Sequence, residues 1–224
     1  MNWPTDCAAV IPCLNEGGSI GAVVAGVRVH LPTVIVIDDG STDDTAAAAT
    51  AAGAIVIRSG RNQGKGAALR TGWTEAMRRG FACVLMLDGD GQHAPDDIPA
   101  LLAAAERTGA HLIVGNRMDA AAGMTPLRRG VNRWMSRRLS RLTGRALPDT
   151  QCGFRLAQLP LLAHLDLSTR HYEIESDMLV ALIRAGGRVE FVPVRLPPVR
   201  ARSHIRPGRD TLRWLRWWLR VWHA

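Results

Sequence analysis

With 224 residues, 47% of them hydrophobic, the chain is long enough to bury one sizeable core and short for two. Its longest uncharged stretch, Thr45 to Ile57, is interrupted by Thr50 and Gly53 and falls short of the roughly 18 apolar residues of a membrane span. The opening Met1-Asn2-Trp3-Pro4-Thr5-Asp6 lacks the basic and apolar regions of a secretory signal, so a cytoplasmic protein is expected, and a formal charge of +8 suits nucleic acid, anionic lipid or phosphorylated substrates alike.

In chain order, short β-branched runs alternate with alanine-rich stretches, which predicts an α/β fold around a parallel sheet. Five strands are expected at Ala8–Pro12, Val34–Asp38, Ala54–Arg58, Cys83–Asp88 and Leu112–Gly115, near-continuously apolar as strands buried on both faces should be. Helices fill the gaps at Ser19–Val29, Thr42–Ala52, Ala67–Arg79 and Pro95–Arg107, with Ser19 and Ser41 as N-caps and Pro95 in a first turn. Beyond Met118 a helix is expected over Pro126–Leu142, then another over Glu173–Ala185, a strand at Val189–Pro193 and a last helix over Asp210–Trp222 after an arginine-rich linker. This divides the chain into a domain over 1–194 and an extension over 195–224. Cys7, Cys13, Cys83 and Cys152 form no C-x-x-C pair and sit in or beside apolar runs, which predicts buried thiols.

Ligands of open α/β sheets bind beyond the carboxyl ends of the strands, and four of the expected strands end in polar residues. The sharpest cluster is Asp88-Gly89-Asp90, whose carboxylates, two residues apart, project to one side of an extended chain, with Gln92 next in line. Three oxygen ligands with water and diphosphate would satisfy Mg²⁺ or Mn²⁺. Of Asp38 and Asp39, one should face inward and the other reach a ribose or base edge; Asp43, Asp44, Asp96 and Asp97 suit helix starts. Lys65 is the sole lysine among the 28 basic residues, and a compact ammonium in Gly64-Lys65-Gly66 suits a phosphate or carboxylate partner. The segment Gly60 to Gly66 has neither the spacing nor the Ser or Thr of a P-loop, and no G-x-G-x-x-G follows the first strand. Arg129 and Arg133, one helical turn apart, could grip a phosphate, whereas Arg137, Arg138, Arg141 and Arg145 read as a solvated face. His93, His111, His164 and His171 show no metal-ligand spacing.

Taken together, Ile11-Pro12-Cys13-Leu14-Asn15-Glu16, Ile37-Asp38-Asp39-Gly40-Ser41-Thr42, Asn62-Gln63-Gly64-Lys65-Gly66, Asp88-Gly89-Asp90-Gly91-Gln92-His93, Gly115-Asn116-Arg117, Asp149 to Phe154 and Glu173-Ile174-Glu175 resemble the motifs of inverting GT-A glycosyltransferases of the dolichyl-phosphate mannose synthase and polyprenyl-phosphate sugar synthase type. The resemblance runs from about Ala8 to Pro193. It implies a GT-A nucleotide-sugar-binding fold, mostly parallel and flanked by helices. Pro12, Leu14, Glu16, Ile37 and Asp39 would cradle base and ribose; Asp88, Asp90 and Gln92 would take metal and diphosphate; Gly89 and Lys65 would lie on the donor side, and Arg117 would face the reacting phosphates. The chain departs from the pattern at Leu14, where an aromatic is usual, and at His204 after Ser203, where a lysine is usual.

The function implied is metal-dependent inverting transfer of a hexose from a GDP- or UDP-sugar to a polyprenyl or dolichyl phosphate. The alternative acceptor is a hydroxyl of a glycan or small molecule, for which Asp149 would be the base. A non-enzymatic alternative, a basic nucleic-acid or membrane-binding protein, leaves the acidic turn unexplained, and with one tyrosine and three phenylalanines no nucleic-acid partner is expected. In the last helix, Trp214, Trp217, Trp218, Val221 and Trp222 share one face and Arg213, Arg216 and Arg220 the other. That pattern suits a helix lying in a membrane interface, with Arg195, Arg200, Arg202, Arg206 and Arg209 adding attraction to anionic lipid, and so a protein peripheral to the cytoplasmic face. The competing arrangement is packing on the domain's own core.

Overall fold

The computed structural model describes residues 2–118, 124–167, 169–197 and 207–222. Its sheet comprises β1 (Cys7–Cys13), β2 (Val34–Asp38), β3 (Ile55–Arg58), β4 (Cys83–Met86), β5 (Leu112–Asn116), β6 (Arg155–Gln158) and β7 (Val189–Pro193), in the order β3-β2-β1-β4-β6-β5-β7. The helices are α1 (Trp3–Asp6), α2 (Ile20–Arg28), α3 (Thr45–Ala51), α4 (Lys65–Arg78), α5 (Ile98–Thr108, after a 3₁₀ turn at Pro95–Asp97), α6 (Pro126–Thr143), α7 (Leu159–His164), α8 (Ile174–Arg184) and α9 (Pro207–Trp222). No described helix is long and apolar enough to cross a membrane.

The expected strands all form, parallel to one another wherever they pair, because helices cover both faces and every residue of β2 and β4 is buried. The sequence reading missed β6, which lies antiparallel between β4 and β5. Its four residues start with an arginine and carry no β-branched side chain. Arg155 is nonetheless fully buried, because its guanidinium donates to the carbonyls of Cys152 (2.7 Å), Thr150 (2.9 Å) and Glu175 (2.6 Å). α7 was also missed.

Ser41 does not cap a helix. α3 starts later, at Thr45, because the loop after β2 is tied to the loop after β1: Ser41 Oγ accepts from Asn15 N, Thr42 N donates to Asn15 Oδ1, and Ser41 N donates to Asp38 Oδ1. Asn15 takes up the left-handed conformation, φ 54°, that this crossing requires. The sheet reverses direction beside β1: the chain runs from β1 outward to β2 and β3, then returns to β4 on the other flank. The crevice at such a switch point, beyond the carboxyl ends of β1 and β4, is where α/β sheets bind ligands.

A second hydrophobic cluster joins α6, α8 and α9 through Met135, Leu139, Leu147, Val180, Trp214 and Trp217. The tryptophan face of the last helix thus packs in part on the domain's own core, with Leu219 and Trp222 still about half exposed. Trp214 and Trp217 are buried, and their indole N–H groups donate to Ser176 Oγ (2.9 Å) and Asp177 Oδ1 (3.0 Å) on α8. The indole's apolar body and polar edge are satisfied by α8 and its neighbours as they would be by lipid headgroups. Arg195 is ion-paired with Asp97 at 2.7 Å, and Arg200, Arg202, Ser203, His204 and Arg206 lie outside the described residues.

Candidate active site

A cavity of about 440 Å³ opens at the switch point. Its floor is made by Pro12 at the end of β1, Leu14 and Glu16 after it, Asp39 after β2, and Asp88, Gly89, Asp90 and Gln92 after β4, with Lys65 at the start of α4. Gly64 precedes that helix at φ 98°, a conformation that favours glycine, and lets the loop pack against the backbone of Arg170. Gly89 is pressed against the Cys13 thiol, so a side chain there would displace the acidic turn. The far wall comes from Arg128 on α6, His171 and Tyr172 before α8, and Arg209, Asp210 and Arg213 on α9.

Other expected site residues lie elsewhere. Ile37 is buried inside β2, beside Pro12 in the register, and does not line the cavity. Arg129 and Arg133 do not line it, and Arg128 is the α6 arginine that does. One residue moves a side chain by about 100° around a helix, and nothing local in the sequence anchors that rotation. Arg117 and Asp149 lie behind the wall as a buried, bidentate ion pair: Arg117 Nε and Nη2 donate to the two Asp149 oxygens at 2.8 and 3.0 Å. Although burial alone would raise Asp149, Arg117 holds its pKa below the usual carboxylate range. A carboxylate so engaged is a poor general base.

The floor is organised by charge. Lys65 Nζ bridges Asp88 Oδ1 and Glu175 Oε1, each at 2.5 Å. Burial works against the ammonium, but the two carboxylates outweigh it and hold its pKa well above the usual lysine value. Asp88 is likewise held low against burial by Lys65 and then His93, whose Nε2 lies 3.4 Å from Asp88 Oδ2. Asp90 goes the other way, raised by burial and then by the Asp88 charge. Glu16 is raised to about 7 by burial and then by Asp90. The sequence analysis assigns no role to Glu175, His93 or Tyr172, although Glu175 and His93 both fall in motifs already noted.

Among the described residues no three His, Cys, Asp or Glu side chains form a ready metal cage. Gln92 Oε1 accepts from Arg128 Nη1 at 3.1 Å, and the Gln92 backbone N–H donates to Asp90 Oδ1. Asp90 and Asp88 nevertheless fit Mg²⁺ or Mn²⁺. Such cations use one or two carboxylates and complete their shell with water and phosphate oxygens, and the raised Asp90 marks a place where added positive charge is favourable.

The mostly parallel sheet flanked by helices, with its cavity beyond the strand ends, has the GT-A fold of glycosyltransferases. Residues 8–165 match the model of glycosyl transferase family 2, and the chain belongs to that family. It is 31% identical over 199 residues to the polyprenol monophosphomannose synthase of Mycolicibacterium smegmatis, covering 83% of this chain and 75% of that one. Over 198 residues it is 30% identical to the undecaprenyl-phosphate mannosyltransferase of Micrococcus luteus, covering 83% and 81%. Among solved structures, glucosyl-3-phosphoglycerate synthase from Mycobacterium tuberculosis with uridine diphosphate superposes with a TM-score of 0.80 at 23% identity, over 98% of this chain and 81% of that one. The same enzyme with Mn²⁺, UDP-glucose and phosphoglyceric acid gives 0.78 at 23% identity, over 98% and 80%. The chain is therefore an enzyme, a glycosyltransferase.

Proposed function

We propose that the protein transfers a hexose, with inversion, from a nucleoside-diphosphate sugar, UDP- or GDP-linked, to a phosphate-bearing acceptor, with Mg²⁺ or Mn²⁺ held by Asp90 and Asp88. The observation that carries this reading is the acidic turn Asp88-Gly89-Asp90 set against Lys65 and Arg128 in one cavity. Departure of the diphosphate builds negative charge at that spot and positive charge on the sugar ring. The bound cation would neutralise the diphosphate oxygens. Lys65 and Arg128 are pre-placed to share that charge, and the ion pairs that hold Lys65 make little reorganisation necessary. Pro12, Leu14 and Asp39 would border the nucleoside. Asp39 is fixed by the backbone N–H groups of Gln63 and Gly64 at 2.8 and 2.7 Å. A melting-temperature panel of UDP and GDP with and without Mn²⁺ tests the donor half: one nucleotide with metal should raise Tm by mass action, and no shift with any pair would sink the reading.

For the acceptor we favour a hydroxyl on a small phosphorylated molecule, whose proton would leave to a carboxylate of the cavity floor. The inward docking of Trp214 and Trp217 takes the centre of the apolar α9 face away from a bilayer and leaves Leu219 and Trp222 exposed at its end. The structural likeness to an enzyme whose complexes hold phosphoglyceric acid points the same way. The second reading, a polyprenyl phosphate met at the cytoplasmic membrane face, is supported by the names of the two relatives and by the locked Asp149, since a phosphate oxygen needs no base. Radiolabelled sugar recovered in the organic phase with polyprenyl phosphate would favour the second; aqueous product with phosphoglycerate would favour the first.

A further inference from the structure

The cavity side of α9 does not follow from the packing of its tryptophans. Arg209, Asp210 and Arg213 all line the cavity. Asp210 is buried, with Arg213 Nη1 at 3.2 Å and Arg209 Nε at 4.0 Å from its Oδ1. A helix that only covered apolar surface would gain nothing from a buried carboxylate beside two guanidinium groups, because burying charge is costly even when it is paired. The cluster keeps a net positive charge, and each guanidinium has five N–H donors, most of them unused by Asp210. Adjacent His171 has its pKa lowered by burial and then by Arg213, as positive potential at this wall requires.

The placement of these arginines is also tied to the floor. Three consecutive residues in the first turn of α8 each hold one partner: Glu175 takes Lys65, Ser176 takes the Trp214 indole and Asp177 takes the Trp217 indole. One rigid turn therefore sets the distance between Lys65 and the α9 arginines.

We propose that Arg209 and Arg213 form an anion subsite for a phosphate group, registered to Lys65 through α8. The subsite rests on the glycosyl-transfer reading and deepens it. Its phosphate has two possible sources, the donor diphosphate and a phosphate on the acceptor, and paired guanidinium forks suit either.

The test is calorimetric titration of the full chain, as wild type, Arg213→Ala, Arg209→Ala and Arg220→Ala. The last removes equal charge from the exposed far end of α9. Titrants are UDP and GDP with Mn²⁺, then inorganic phosphate with and without saturating nucleotide. Loss of one charge-assisted contact should weaken binding about tenfold in Arg213→Ala and leave Arg220→Ala unchanged. Weakening in the nucleotide arm assigns the subsite to the donor diphosphate; weakening only in the phosphate arm with nucleotide bound assigns it to the acceptor. Equal affinities of wild type and Arg213→Ala in every arm overturn the proposal, as does equal weakening by Arg220→Ala, which would mean bulk charge. Near-UV circular dichroism of the tryptophans checks that α9 stays docked; if the alanine variant loses that signal, Arg213→Gln replaces it. A wild type that binds no nucleotide fails the glycosyl-transfer reading, and the phosphate titrations then decide the subsite by themselves.

Discussion

At the scale of single residues, the acidic floor gives three separable expectations. Asp90→Ala should lower metal-dependent turnover by about 10²-fold or more at unchanged Tm, because the side chain sits at the cavity and its charge is useful when a cation is bound. Initial rates against Mn²⁺ concentration check this. Asp149→Ala should instead unfold easily, since it strands the buried Arg117 guanidinium; breaking such a pair costs about 3–5 kcal/mol, measurable by urea denaturation. Glu16 supplies a pH dependence. Its pKa is about 7 in the folded state against 4.5 for the free group, so the native state binds its proton more tightly. The stability of the metal-free protein should therefore fall as pH rises from about 4.5 to 7, and Glu16→Gln should flatten that fall in melting curves. Most of the floor was legible in the sequence, because strand ends and turn residues are local features. Arg128 in place of Arg129 was not, nor was the burial of Arg117 with Asp149, because helix rotation and long-range pairing are decided by packing.

At the scale of elements, α9 shows where amphipathicity stops being informative. Its tryptophan stripe is plain in the sequence, but α6 and α8 offer the same mixture of apolar surface and hydrogen-bond acceptors as a membrane interface, and the pattern cannot tell them apart. Trp217→Ala should cost about 3–5 kcal/mol in denaturant unfolding, through the lost packing and the orphaned Asp177 acceptor. Ending the chain at residue 206 should bare Met135, Leu139 and Val180 and produce dye binding typical of exposed apolar surface. β6 was hidden for the opposite reason. Its charged first residue reads as surface, and the three carbonyls that make its burial affordable come from segments distant in sequence.

For the molecule as a whole, the ion pairs around Lys65 mean that the site is formed before any cation arrives. Unlike domains folded by their metal, this one should keep its Tm under EDTA while losing turnover. Lys65 is also the sole lysine of the sequence, and its side chain is only 12% exposed. An amine-directed acylating reagent thus meets two primary amines in a chain of this sequence, the N-terminus and an ammonium buried in the catalytic cavity. The intact mass of the treated protein becomes a census of the site: one adduct while Lys65 is clamped, two once Glu175→Gln or denaturant releases it. Reagents usually too indiscriminate to locate anything would here label the active centre alone, once the terminus is blocked.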